Sequence, residues 1–70
     1  MAQKKITHEQ IVGIVADKLR DARKQRGMSQ QDLAHAAHMP VTYLGKLERA
    51  ESAPTIDMLA RISKALGIDT

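Results

Sequence analysis

"SQQDLAHAAHMPVTYLGKLER", residues 29–49, sets two short helical patterns back to back with a breaker between them. Ser29 is a natural helix N-cap, Asp32 places a negative charge in the first turn, and Leu33, Ala34 and Ala37 recur on one face. Pro40 lacks a backbone donor and disfavours helical backbone at Met39, so the second helix begins only at about Val41 and runs to about Arg49. Leu44 and Leu47 form its inward stripe. Thr42, Lys46 and Arg49 share the opposite side, with Gly45 beside them and Val41 and Tyr43 on the borders.

Outward from this pair, Thr7 followed by Gln10 is a capping-box pattern, which predicts a helix from about His8 to Gln25 that Gly27 terminates. Its expected core stripe is Ile11, Val12, Val15, Leu19 and Ala22. Residues 50–54 read as a loop, and Thr55 caps a last helix with Ile56, Leu59, Ile62, Ala65 and Leu66 inward until Gly67. No segment alternates with a period of two, and no repeat or linker divides the chain. The expectation is an all-α compact bundle of four helices with an extended first helix, forming a single domain over residues 1–70.

Seventy residues give a small core, so an oligomer is expected. With no cysteine there is neither a disulfide framework nor a thiolate zinc site, which suits a reducing cytoplasm. Residues 1–5 precede no signal-peptide apolar region, and no apolar stretch is long enough to span a bilayer, so no membrane association is expected. The net charge of +3 is concentrated in Lys18, Arg20, Arg23, Lys24 and Arg26. That cluster suits nucleic acid, and it equally suits a solvated helix end whose cations complement the dipole. His35 and His38 share a helix turn without a third metal ligand, and neither a phosphate-cradling glycine loop nor a nucleophile–base pattern is present. No enzymatic activity, metal or cofactor is expected.

Two short helices joined by a tight three-residue turn have the geometry of a helix-turn-helix, with Ala34 small enough for a close crossing. Residues 20–66 resemble the lambda-repressor-like helix-turn-helix domain of the Cro and phage-repressor type, also called XRE-type. "SQQDLA", "YLGKLER" and "APTIDMLARISKALGI" carry the resemblance, which extends over residues 15–68 and leaves 1–14 as an N-terminal extension. The resemblance implies sequence-specific binding of double-stranded DNA as a homodimer. By matched position, Val41, Thr42 and Lys46 would read bases, with Tyr43 and Arg49 at the groove margin; Tyr43 is also suited to half-buried core packing. Gln30 would hold a phosphate at a helix start, and Arg20, Arg23 and Arg49 are further phosphate candidates. Arg23 and Glu48 match a pair that joins the first helix to the recognition helix in many relatives. The sequence argues the same way, since Glu48 falls on the buried side and needs a cation.

The sequence departs from the family pattern in three places. His38 stands at a turn position usually held by glycine, where strain rather than breakage is expected, since histidine tolerates a positive φ better than branched residues. Ala50 replaces another frequent glycine, and Glu51 brings negative charge to where relatives approach phosphate. A fifth helix that often serves dimerisation has no counterpart here, and Ile14 with Ile11 on the first helix is expected to take up that contact or cover the gap. The function expected is a transcriptional regulator, a repressor, on a two-fold related operator. Its alternatives are an antitoxin of the same fold with a toxin partner, or a helical interaction module without DNA binding.

Overall fold

Three of the four helices begin at a hydroxyl residue in extended backbone, which satisfies N–H groups that a helix start otherwise leaves open. In the computed structural model, which describes residues 7–68, α1 spans His8–Gln25, α2 Gln30–Ala36, α3 Val41–Glu48 and α4 Ile56–Ala65. The stretch 1–6, where a targeting signal would begin, lies outside the described residues. Among the described residues there is no strand, and no helix is long and apolar enough to cross a membrane. The Gln10 N–H donates to Thr7 Oγ1 at 3.1 Å, while the Thr7 N–H donates to Gln10 Oε1 at 2.8 Å. Ser29 and Asp32 make the same reciprocal pair at 3.0 Å each way. The Ser29 backbone N–H, followed by its hydroxyl, holds the Asp32 carboxyl below its ordinary range. Thr55 caps α4 through the Met58 N–H at 3.1 Å. Only α3 lacks such a cap, because Pro40 precedes it and offers just its carbonyl, which accepts from the N–H groups of Tyr43 and Leu44 at 3.1 and 3.2 Å.

All four helices end on one device, a left-handed residue followed by an N–H that returns to a carbonyl in the last turn. Gly27 and Gly67 provide it for α1 and α4, at φ 66° and 74°. His38 and Ala50 provide it for α2 and α3, at φ 57° and 59°, with Met39 N–H on the Ala34 carbonyl and Glu51 N–H on that of Lys46 at 2.9 and 2.8 Å. The chain therefore enters and leaves the α3 segment through corners that Cβ atoms oppose. The strain expected at His38 is present without breakage.

The core is Leu19, Leu33, Ala34, Ala37, Met39, Leu44, Leu47, Ile62 and Leu66, with α2 against both α3 and α4 and α1 laid on α3. Two parts of the expected core differ. On α1 the buried residues are Ala16 and Leu19, Val12, Val15 and Ala22 are half-buried, and Ile11 is 51% exposed. The 18 residues of α1 outrun partners of 7, 8 and 10 residues, and its buried residues, Ala16 and Leu19, lie from its middle onward. On α4, Leu59 is 36% exposed, and Ile56 is 86% exposed, because a residue six places before the buried Ile62 lies about 120° around the helix from it. Val15, Leu19 and Ala22 of α1 and Leu59 and Ile62 of α4, with Leu66 at its C-cap, line a solvent-open groove of about 190 Å³. Arg26 links the ends of α1 and α4, donating from Nε to the Leu66 carbonyl and from Nη1 to the Ala22 carbonyl.

The strained corners give a direct test. Ala50→Gly is expected to raise stability by about 1 kcal/mol, which is about 4–8 °C in Tm for a domain of this size. His38→Gly is expected to gain less, since histidine tolerates the left-handed region better than alanine. Thermal unfolding followed by circular dichroism reads both, and a fall in Tm for each would mean the side chains contribute more than the backbone strain removes.

Candidate nucleic-acid interface

The pose of α3 is set from its inward side. Leu44 and Leu47 are fully buried in the core, and Glu48, one residue further, is buried to 2% exposure. A carboxylate in such a place must be matched by donors, and three converge on it. Arg23 Nε donates to Glu48 Oε2 at 2.7 Å and Nη2 to Oε1 at 3.0 Å, while Gln30 Nε2 donates to Oε1 at 3.1 Å. Arg20 Nη1 adds a bond to the Glu48 backbone carbonyl at 2.7 Å. One residue at the end of α3 thus ties together α1 and α2. Among the described residues no buried side-chain polar atom lacks a partner.

These contacts engage several of the candidates. The sequence offers Arg23 both to phosphate and to Glu48, yet its third nitrogen, Nη1, donates to the Met28 carbonyl at 2.8 Å and its side chain is 11% exposed. All three guanidinium nitrogens of Arg23 are thus bonded inward, to Glu48 and to the Met28 carbonyl. Gln30, a half-buried residue at the start of α2, is oriented by the same carboxylate. Arg20 is more open, with a second bond from Nη2 to Asp17 Oδ1 at 2.6 Å. Sequence reasoning misses the reach of Arg20 and Gln30 to Glu48. The signal available for Arg20 is its position one turn before Arg23 on the same helix face.

The outward side of α3 carries Thr42, Lys46 and Arg49, all exposed, with the exposed Val41 at its start. Tyr43 is half-buried and packs against the core, so of its two readings the ring serves the packing one, while still bordering the exposed face. The Arg49 side chain lies over Gly45; a Cβ there would sit 3.1 Å from Arg49 Nη1. Arg49 pairs with Glu51, whose hydrogen bond and charge hold the guanidinium still further above its ordinary range. His35 and His38 are exposed, and among the described residues no group of three or more side chains is placed to hold a metal.

A family model described as helix-turn-helix matches residues 19–70. The chain is 35% identical over 54 residues to the HTH-type transcriptional regulator DdrOP3 of Deinococcus deserti, covering 77% of this chain and 42% of that protein. It is 35% identical over 60 residues to the HTH-type transcriptional regulator SutR of Escherichia coli, covering 86% of this chain and 34% of that protein. The chain thus spans less than half the length of these curated relatives, both of which are regulators of transcription. In structure it is similar to the restriction-modification controller protein C.AhdI from Aeromonas hydrophila, with TM-score 0.82 and 25% identity over 84% of this chain and 89% of that one. A variant of the restriction-modification controller protein C.Esp1396I matches with TM-score 0.81 and 30% identity, over 84% and 79% of the two chains.

The burial of the Arg23–Glu48 pair predicts a large coupling. Arg23→Met and Glu48→Met each strand a group that was paired in a poorly solvated site and are expected to cost about 3 kcal/mol, whereas the double variant costs well under the sum. Denaturant unfolding of the four proteins measures the cycle, and additive losses would remove the pair as the anchor of α3.

Proposed function

Because the chain belongs to the lambda-repressor-like helix-turn-helix family, we propose that it is a cytoplasmic, sequence-specific transcriptional repressor that binds a two-fold related operator as a homodimer. The observation that carries this reading is the division of α3, whose inner residues Leu44, Leu47 and Glu48 are buried while Thr42, Lys46 and Arg49 face solvent together. The outward side offers a hydroxyl and two cations, suited to base edges and phosphates in a major groove. Lys46, one turn beyond Thr42, has the length to reach the O6 and N7 acceptors of a guanine, and Val41 and Thr42 at the helix start suit a thymine methyl. Tyr43 borders the same surface. Arg49, at the far end of α3, is the phosphate contact there, with Arg20 and Gln30 holding the backbone on the other side of the motif.

A homodimer sets two recognition helices about 34 Å apart, one helical turn of DNA. Ile11 and Ile14 on α1, each 51% exposed, support its contact surface. Further along α1, Val15 and Lys18 line the groove against α4.

Three measurements test this reading. In gel shifts over a salt series, binding is expected to weaken steeply as salt rises and to favour one duplex, while binding with neither property leaves an interaction module. In competition over single-base operator variants, Lys46→Ala is expected to cost about 1–3 kcal/mol on the best site and relax preference at one base pair. Arg49→Ala is expected instead to weaken all sequences alike, and an even loss for Lys46→Ala would make that residue a phosphate contact. Sedimentation of Ile14→Asp at micromolar concentration is expected to show monomer, and an unchanged dimer rules out this part of α1 as the interface.

A further inference from the structure

Arg49 and Glu51 lie two residues apart, and the chain turns a corner between them. Ala50 takes the left-handed conformation at φ 59°, and the Glu51 N–H closes the end of α3 on the Lys46 carbonyl at 2.8 Å. The corner brings the Glu51 carboxylate back to the helix end, where Oε2 accepts from Arg49 Nε at 2.7 Å and Oε1 from Nη2 at 3.3 Å. The guanidinium lies down over Gly45, which leaves room for it by having no side chain. Both partners remain about half exposed, so the pair sits on the surface of α3 and not beneath it. The two N–H groups given to this carboxylate are the fork that a guanidinium otherwise presents to a phosphate. The hydrogen bond from Arg49 holds the Glu51 carboxyl below its ordinary range, with the charge of Lys46 adding to the effect, so the carboxylate is ionised throughout the neutral range.

We infer that Glu51 is an affinity-limiting residue of the DNA site: it occupies the Arg49 fork in the free protein, and a DNA phosphate must displace it to bind there. This rests on the DNA-binding function proposed above. Because phosphates are common to every sequence, the cost falls on all duplexes alike. It lowers occupancy of non-specific DNA and leaves the ranking of sites to Val41, Thr42 and Lys46. Glu51 thus acts as a built-in phosphate surrogate.

Glu51→Gln keeps the shape and removes the charge, and Asp21→Asn makes the same change in net charge at an exposed position on α1. Fluorescence anisotropy with a preferred and a scrambled duplex, at one salt concentration, compares them. Glu51→Gln is expected to tighten both duplexes about two- to fivefold beyond Asp21→Asn, the size of an exposed ion pair. That excess is expected to vanish on an Arg49→Ala background. Equal gains from the two substitutions would assign the effect to whole-molecule charge, and an excess that survives without Arg49 would assign it to direct repulsion of phosphate; either result overturns the exchange. If no protein in the set binds either duplex at low salt, the DNA-binding function itself fails and this inference with it, an outcome distinct from binding that Glu51→Gln leaves unchanged, which overturns the inference alone.

Discussion

A carboxylate buried at the end of α3 is the constraint on which the rest of the molecule is arranged. Withdrawing Glu48 from water is costly unless donors replace the lost hydration, and in a chain of 70 residues few are available. They come from Arg23 on α1 and Gln30 on α2, while Arg20 holds the backbone carbonyl of the same residue. Helix α3 has no side-chain cap at its start and only eight residues. Its direction therefore depends on two leucines in the core and on this polar knot at its far end. An apolar residue in place of Glu48 would pack without requiring any particular rotation. The ion pair asks for one orientation of α3 relative to α1, and that orientation turns Lys46 outward.

The local punctuation of the fold was legible in the sequence because it depends on residues a few places apart. Thr7 with Gln10, Ser29, Pro40, Thr55 and the two stop glycines bounded every helix to within about a residue, and His38 and Ala50 take the left-handed backbone that their positions imply. The division of α3 into buried and outward sides followed from its period, and Glu48 declared its need for a cation by lying among leucines. What failed depended on lengths and partners in three dimensions. Periodicity marks Ile11 and Ile56 as apolar but carries no information about whether a neighbouring helix extends far enough to cover them. The Arg49 side chain over Gly45 was not legible, because a helical wheel leaves out the path of a long side chain. Arg23 drew two assignments, since charge alone does not tell a guanidinium directed inward from one directed at solvent. The base- and phosphate-contact assignments themselves come from the family resemblance and stand as proposals.

Like Arg23, the phosphate candidates Arg20, Gln30 and Arg49 already have partners inside the protein. Arg20 holds Asp17 and the Glu48 carbonyl, Gln30 holds the Glu48 carboxylate, and Arg49 holds Glu51. These bonds differ in depth. Those to Glu48 meet a buried group and fix side chains whose rotamer entropy would otherwise be lost on binding, whereas Arg49 and Glu51 meet at the surface, where solvent and ions compete. The interface therefore combines a rigid end, built on the knot, with an adjustable end beyond Ala50.

The separation of the two sides of α3 has an evolutionary consequence. Leu44, Leu47 and Glu48 carry the attachment of the helix, and Thr42 and Lys46 carry none of the core. Substitutions at the exposed positions can accumulate with little effect on folding, so on the DNA-reading role proposed for them target preference can drift while the scaffold is retained. Gene duplication would then yield paralogues that share one architecture and answer to different promoters, diverging at a few codons on a single turn and a half of helix.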